Sequence, residues 1–256
     1  MLFDTHVHLN SHMYKDDLKK VIARALEAGV TKMAVIGFDA ASNMRAIELA
    51  QQYACIYAVV GIHPSDARSA TAASWPLLRE QLQHPKVVAL GECGFDYYHD
   101  TSFNDIQRAV FKQQLAIAKE LDVPIVVHMR DSVQDTYDLL CQEGKGLTGV
   151  IHCYSGDVAM MHQFLERGFY IGLDGPVTFK NAHSVHEVAK AVPIERLVIE
   201  TDGPYLTPSP YRGKRNEPAY VRYVAEKIAE LKGMTYKEVC DITTQNGLNL
   251  YRIKES

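Results

Sequence analysis

Six residues of this chain are of the types that hold divalent metal ions: His6, His8, Glu92, His128, His152 and Asp202. His6 and His8 are separated by one residue. In an extended strand that spacing sends both side chains to one face, so both can reach one ion. Imidazole and carboxylate donors suit Zn²⁺, Mn²⁺ or Ni²⁺, whereas carboxylates with water suit Mg²⁺. Six donors exceed the roughly three that an open catalytic zinc takes from its protein. They suffice for two ions if one carboxylate bridges, and Glu92 is the candidate bridge. His6, His8 and Asp202 would then complete one site, and His128 and His152 the other. Two ions about 3.5–4 Å apart can clamp the attacking and leaving oxygens of a phosphoryl displacement. Any one of these residues alone also reads as an ordinary hydrogen-bonded group at a strand end. The metal reading rests on the set.

What must position them is a series of short, β-rich apolar runs at 3–8, 32–37, 56–61, 87–92, 124–128, 148–152, 169–173 and 196–201. Most are nearly continuous in Val, Ile and Ala, the pattern of parallel strands buried on both faces. Helical stripes lie between them. Residues 16–28 place Leu18, Val21, Ile22, Ala25 and Leu26 on one side, and Gly29 ends the segment. Residues 104–121 and 158–167 follow the same logic, the second closing at Gly168. Eight strands each followed by a helix predict a closed (β/α)₈ barrel. An open doubly wound sheet is the rival topology. The tail, 216–253, reads as two helices parted by Gly233, with Pro218 in the first turn of the first. No linker or repeat interrupts the chain, so one domain over 1–256 is expected. The six candidate ligands fall at or just after the carboxyl ends of five of these strands, which a barrel gathers at one mouth. Cys93 and Cys153 adjoin two of them, and strand alternation predicts that both thiols pack behind the barrel wall.

With 27 Lys and Arg against 31 Asp and Glu, the net charge is −4. No basic excess exists to supply the sequence-independent affinity of duplex-binding proteins. Contact with nucleic acid would have to be local. The cysteines, Cys55, Cys93, Cys141, Cys153 and Cys240, are odd in number and form no C-x-x-C pair. That argues against a disulfide framework and for a cytoplasmic protein. Neither a signal peptide nor an apolar run of roughly 18 residues is present, so no membrane partner is expected.

Around the candidate ligands stand the segments FDTHVHL (3–9), GIHP (61–64), GECGFDYY (91–98), VVHMRD (126–131), IHCYSG (151–156), GPVTFKNA (175–182), ETDGPYL (200–206) and RGKRNEP (212–218). Together they make the chain resemble the TatD family of metal-dependent deoxyribonucleases, within the amidohydrolase-like metal barrels, from end to end. HxH alone marks only the wider group; the Glu-centred segment with ETDGPYL and RGKRNEP is more specific. The resemblance implies a (β/α)₈ fold, two divalent ions on the same six residues, and exonuclease-like hydrolysis of phosphodiesters at DNA ends, with no obligate protein partner. Departures are few. Cys93 and Phe95 replace more usual aliphatics, and Asp174 replaces a small residue, adding a charge near a possible substrate path. Barrels bridged by a carboxylated lysine fit less well, because Lys86 lies at the wrong end of the fourth strand.

Catalytic roles are expected for Asp202, orienting or deprotonating the attacking water, and for Glu92. Substrate contacts are expected at His63, Arg130, Tyr154, Lys180 and Arg215. His63 follows the third strand and could touch a phosphate, or be satisfied by backbone. Arg130 suits bidentate phosphate binding, or a salt bridge to Asp131 or Asp135. Tyr154 and Ser155 could line the pocket. Arg212, Lys214 and Arg215, with Tyr205 and Tyr211, could track a single strand, or cap the barrel through Glu217. The segment 96–98 could form another wall or simply pack. Two other functions compete: a two-metal hydrolase of a small amide, lactone or phosphoester, and a non-catalytic metal-binding or interaction protein. An enclosed pocket would favour the former, and metal binding without turnover the latter.

Overall fold

The structure, a computed structural model, describes residues 1–98 and 100–254. Among them, eight strands form one sheet in the order of the sequence: β1 (Leu2–Val7), β2 (Val30–Ile36), β3 (Ile56–Val60), β4 (Val87–Asp96), β5 (Ile125–Arg130), β6 (Gly149–Ile151), β7 (Tyr170–Leu173) and β8 (Leu197–Ile199). Every neighbouring pair is parallel. The helices between them are α1 (Leu18–Glu27), α2 (Ala40–Gln52), α3 (Ser74–Leu82), α4 (Asn104–Leu121), α5 (Val133–Glu143), α6 (Val158–Glu166) and α7 (His183–Ala191), followed by α8 (Val221–Lys232) and α9 (Tyr236–Leu250). β1 and β8 meet through a parallel bridge between Val7 and Gly203. His8 N–H donates to Gly203 O at 2.8 Å and Asp202 N–H to His6 O at 2.9 Å. The result is a (β/α)₈ barrel, not an open sheet. Gly29 and Gly168 end their helices with φ of 85° and 87°, the left-handed conformation that glycine adopts most easily. Pro218 opens a single 3₁₀ turn, Pro218–Tyr220, that leads into α8.

Two cores hold the barrel. The inner one contains Phe3, Ala34, Ile36, Val59, Ala89, Val126, Val150 and Val198, with Leu250 and Tyr251 closing it from below. The Tyr251 hydroxyl donates to Thr5 O at 2.7 Å, which ties the end of α9 to the barrel floor. The outer core packs the other strand faces against the helices, with Val7, Val35, Val60, Leu90, Val127 and Ile151 facing α-helical residues such as Leu49, Phe111 and Leu139. A strand flanked on both sides by apolar layers must be apolar on both faces, which explains the continuous runs.

Several strand ends differ from the hydrophobic pattern. β4 and β5 continue to Asp96 and Arg130 and pair there, so this side of the mouth is a taller wall. β8 stops at Ile199 because the next groups bond elsewhere: Thr201 N–H and Oγ1–H both donate to the carboxylate of Asp4, at 2.9 and 2.6 Å. β1 carries a register shift between Asp4 and Val7. Phe3 lies in the inner core and Val7 in the outer one, so that bulge resets the alternation and turns His6 and His8 inward.

Candidate metal centre

The carboxyl ends of the strands enclose a cavity of about 850 Å³, lined by His8, His63, Glu92, His128, His152 and Asp202 among others. At its floor, Glu92 sits where the β4–β5 register shifts between Gly91 and Cys93. Bulges re-aim side chains, and here the carboxylate points into the ring of histidines. Its two oxygens face different partners. Oε2 lies 3.4 Å from His6 Nε2 and 3.7 Å from His8 Nε2. Oε1 lies 2.6 Å from His128 Nδ1 and 2.8 Å from His152 Nε2. Asp202 Oδ1 approaches the first group, 3.6 Å from His6 Nε2 and 3.4 Å from His8 Nε2. All six residues predicted as ligands therefore converge.

These donors fit divalent ions. Donors about 2.1 Å from a common ion lie roughly 3.0–3.5 Å from one another. His6 Nε2 and His8 Nε2 are 3.3 Å apart, and His128 Nδ1 and His152 Nε2 3.2 Å apart. His8 Nδ1 donates to Ile36 O at 3.0 Å, which leaves Nε2 a bare lone pair turned toward the centre. His128 stands between two carboxylates, with Nε2 3.3 Å from Asp96 Oδ2. Burial opposes charge on that ring, but Asp96 and Glu92 raise its pKa. Glu92 is fully buried, yet His152, His63 and His6 hold its carboxyl well below the usual range. A cation is what this arrangement of lone pairs and carboxylates accommodates.

Two acids support the histidines: Glu200, which the sequence did not single out, and Asp96, expected only as part of a possible wall at 96–98. Glu200, fully buried, accepts Cys153 N–H on Oε1 at 2.6 Å, and the same oxygen lies 3.5 Å from His152 Nδ1. Asp96 backs His128 and is held in turn by Gln107, whose amide bonds both Asp96 N and O at 3.0 Å. A carboxylate behind a ligating imidazole fixes its orientation and raises its basicity. Their signals in the sequence were an acid two places before Asp202, within ETDGPYL, and another four places after Glu92, within GECGFDYY.

The predicted substrate contacts separate into two groups. His63 lines the cavity, its Nδ1 accepting Ser65 N–H at 3.1 Å and its Nε2 3.6 Å from Glu92 Oε1. Burial, reinforced by His128, pushes its pKa down to about 3. The ring is neutral, with its proton on Nε2. Arg130 also lines the cavity. It makes no salt bridge to Asp131 or Asp135 and lies over the Tyr98 ring, 3.8 Å from its centroid. The others stand away from the cavity lining. Tyr154 is buried in the outer core, with its hydroxyl on Asp157 O at 2.8 Å, while its neighbour Ser155 does line the cavity. Lys180 is exposed on the chain after β7. Arg215 is engaged by Asp17 at 2.8 Å, by Met13 O and by the Tyr14 ring, while Glu217 pairs with Arg24 instead. Cys93 packs behind the wall as expected, but Cys153 does not. β6 ends at Ile151 and Cys153 has φ 45°, so strand alternation no longer governs it. Asp174 is buried, and burial beside Glu200 and Asp202 pushes its carboxyl well above the usual range.

No helix among the described residues is long and apolar enough to cross a membrane. The family model for TatD-related DNases matches residues 3–252. The uncharacterized metal-dependent hydrolase YabD of Bacillus subtilis is 48% identical over 99% of this chain and 100% of its own. The 3′-5′ ssDNA/RNA exonuclease TatD of Salmonella typhimurium is 35% identical over 98% and 99%. The crystal structure of YjjV, a TatD homologue of Escherichia coli, superposes with a TM-score of 0.93 at 28% identity, covering 99% of this chain and 98% of that one. Matched along nearly its whole length in sequence and fold alike, this chain belongs to the TatD family of metal-dependent hydrolases.

Proposed function

We propose that the chain is a two-metal nuclease that releases nucleotides from the ends of single-stranded DNA. The observation that carries the reading is the division of Glu92, with Oε2 toward His6 and His8 and Oε1 toward His128 and His152. A carboxylate placed so can bridge two ions. His6, His8 and Asp202 would complete one site, and His128 and His152 the other. Four imidazoles favour Zn²⁺, Mn²⁺ or Ni²⁺ over Mg²⁺.

Two divalent ions held there would supply Lewis acidity and a site at which water is activated. Asp202 would accept the proton of the attacking water; its left-handed backbone, φ 53°, turns the carboxylate in from the end of β8. His63, neutral and with its proton on Nε2, would donate to a phosphoryl oxygen. Arg130 would offset the charge that builds there. The name of the Salmonella relative supports a single-stranded substrate.

The test is nucleotide release from single-stranded DNA by metal-stripped protein given Mn²⁺, Zn²⁺, Ni²⁺ or Mg²⁺. We expect metal-dependent release, absent in Glu92→Ala and at least about 100-fold slower in Asp202→Asn. No release with any ion, from protein that binds two, would turn the reading toward a small-molecule hydrolase.

A further inference from the structure

Two sides of the cavity mouth present flat, exposed groups whose faces hydrolysis itself does not use, although the Arg130 edge is the one assigned above to a phosphoryl oxygen. Tyr205 lines the cavity and is 55% exposed. Its backbone is nonetheless fixed: its N–H donates to Asp202 O at 2.9 Å, and its carbonyl accepts Asn216 Nδ2 at 2.6 Å. The ring stands edge-on to His8, with centroids 6.3 Å apart at 64°. A planar apolar face is thus held in solvent beside the metal-type donors.

The other side carries Arg130, whose guanidinium lies 3.8 Å from the centroid of the Tyr98 ring. Arg130 is exposed, lines the cavity and makes no ion pair with a described residue. Tyr98 is 59% exposed, and its N–H is anchored on Asp96 Oδ1 at 3.0 Å. Strand order sets the two sides apart. Tyr205 follows β8, Arg130 ends β5 and Tyr98 follows β4, and β4 and β8 lie half a barrel from each other. The histidines and Glu92 lie between.

We propose that Tyr205 and the Arg130–Tyr98 stack are base-holding walls that grip the nucleotides flanking the scissile phosphate, an inference that rests on the nuclease reading. Nucleobases stack on tyrosine rings and on guanidinium planes with little regard to sequence. The guanidinium can offer its face to a base and its edge to a phosphate at once. In a duplex, each base face is covered by its neighbours and each edge is paired, so such walls select unpaired ends.

The test uses metal-loaded protein and short oligothymidylates whose phosphorothioate linkages prevent turnover. One strand is intact, and one of equal length is abasic. The parent should bind the intact strand more tightly. Tyr205→Ala and Tyr98→Ala should each weaken that binding about 5- to 150-fold, the span of one lost base stack, and leave binding of the abasic strand unchanged. Tyr205→Phe keeps the ring and should bind as the parent does. A parent that binds both strands alike, or variants that weaken both strands equally or neither, would overturn the proposal. Base-dependent binding through these residues, without nucleotide release on ordinary DNA with any metal, would keep the walls and remove the nuclease reading.

Discussion

At the scale of single residues, side-chain type and spacing carried much of the site. The i, i+2 pair of His6 and His8 and the strand-end positions of Glu92, His128, His152 and Asp202 were enough to bring six donors to one mouth on paper. The supporting residues were not legible in this way. Glu200 and Asp96 act across strands, on His152 and His128, and no spacing in the chain records a contact 3.5 or 3.3 Å long between different strands. Arg215 shows the reverse error. A basic residue in a loop beside a mouth reads as a phosphate ligand until Asp17 is found holding it. The role of Glu200 is open to measurement. Glu200→Gln keeps an acceptor for Cys153 N–H but removes the negative charge behind His152. We expect its affinity for Zn²⁺ or Mn²⁺, by calorimetric titration, to fall about 10–100-fold. Unchanged affinity would show that Glu200 serves only the backbone of Cys153.

At the scale of elements, strand number, order and approximate limits followed from the apolar runs, because each strand is covered on both faces. The bulges did not. In β1 the stretch Asp4–Val7 is three polar residues and a valine, and nothing in it marks a register shift; in β4 nothing announces the shift at Glu92. A bulge is a property of two strands in register, and one strand's sequence does not contain it. Glycine gives one partial sign. A Cβ on Gly61, in the turn after β3, would lie 2.4 Å from Gly91 C and 2.5 Å from Gly91 O. The close approach of β3 to the backbone just before Glu92 therefore requires a residue without a side chain. Gly61→Ala must push that backbone aside. We expect a loss of about 1–3 kcal/mol in urea unfolding, together with weaker metal binding. A variant as stable as the parent would mean that the two strands separate freely there.

At the scale of the molecule, the loop after β8 is fastened to α1. Arg215 pairs with Asp17 and Arg24 with Glu217, so the polar residues at the edge of the mouth close the structure more than they recruit a ligand. Asp17 stands at the N-cap of α1 yet caps no N–H, because its carboxylate is turned to arginine. Arg215 lowers the Asp17 pKa. A carboxyl with a lowered folded-state pKa contributes stability above its unfolded pKa, and that contribution is lost as pH falls through the folded value. Asp17→Asn should thus melt below the parent near neutral pH, by less than about 1 kcal/mol given its exposure, and the two should converge as acid protonates the folded-state carboxyl. A gap that persists in acid would assign the effect to packing.

The filled barrel floor has a kinetic meaning. Among the described residues, Phe3, Tyr251 and the inner valines fill the barrel beneath the metal centre, so its approach is through the mouth. Arriving and departing molecules must share it, and a product cannot leave by a rear exit while the next strand end arrives. On the nuclease reading, released mononucleotide and incoming strand exclude each other. Added nucleoside monophosphate should raise the apparent KM for single-stranded DNA and leave kcat unchanged. A fall in kcat under those conditions would reveal a second route out of the barrel.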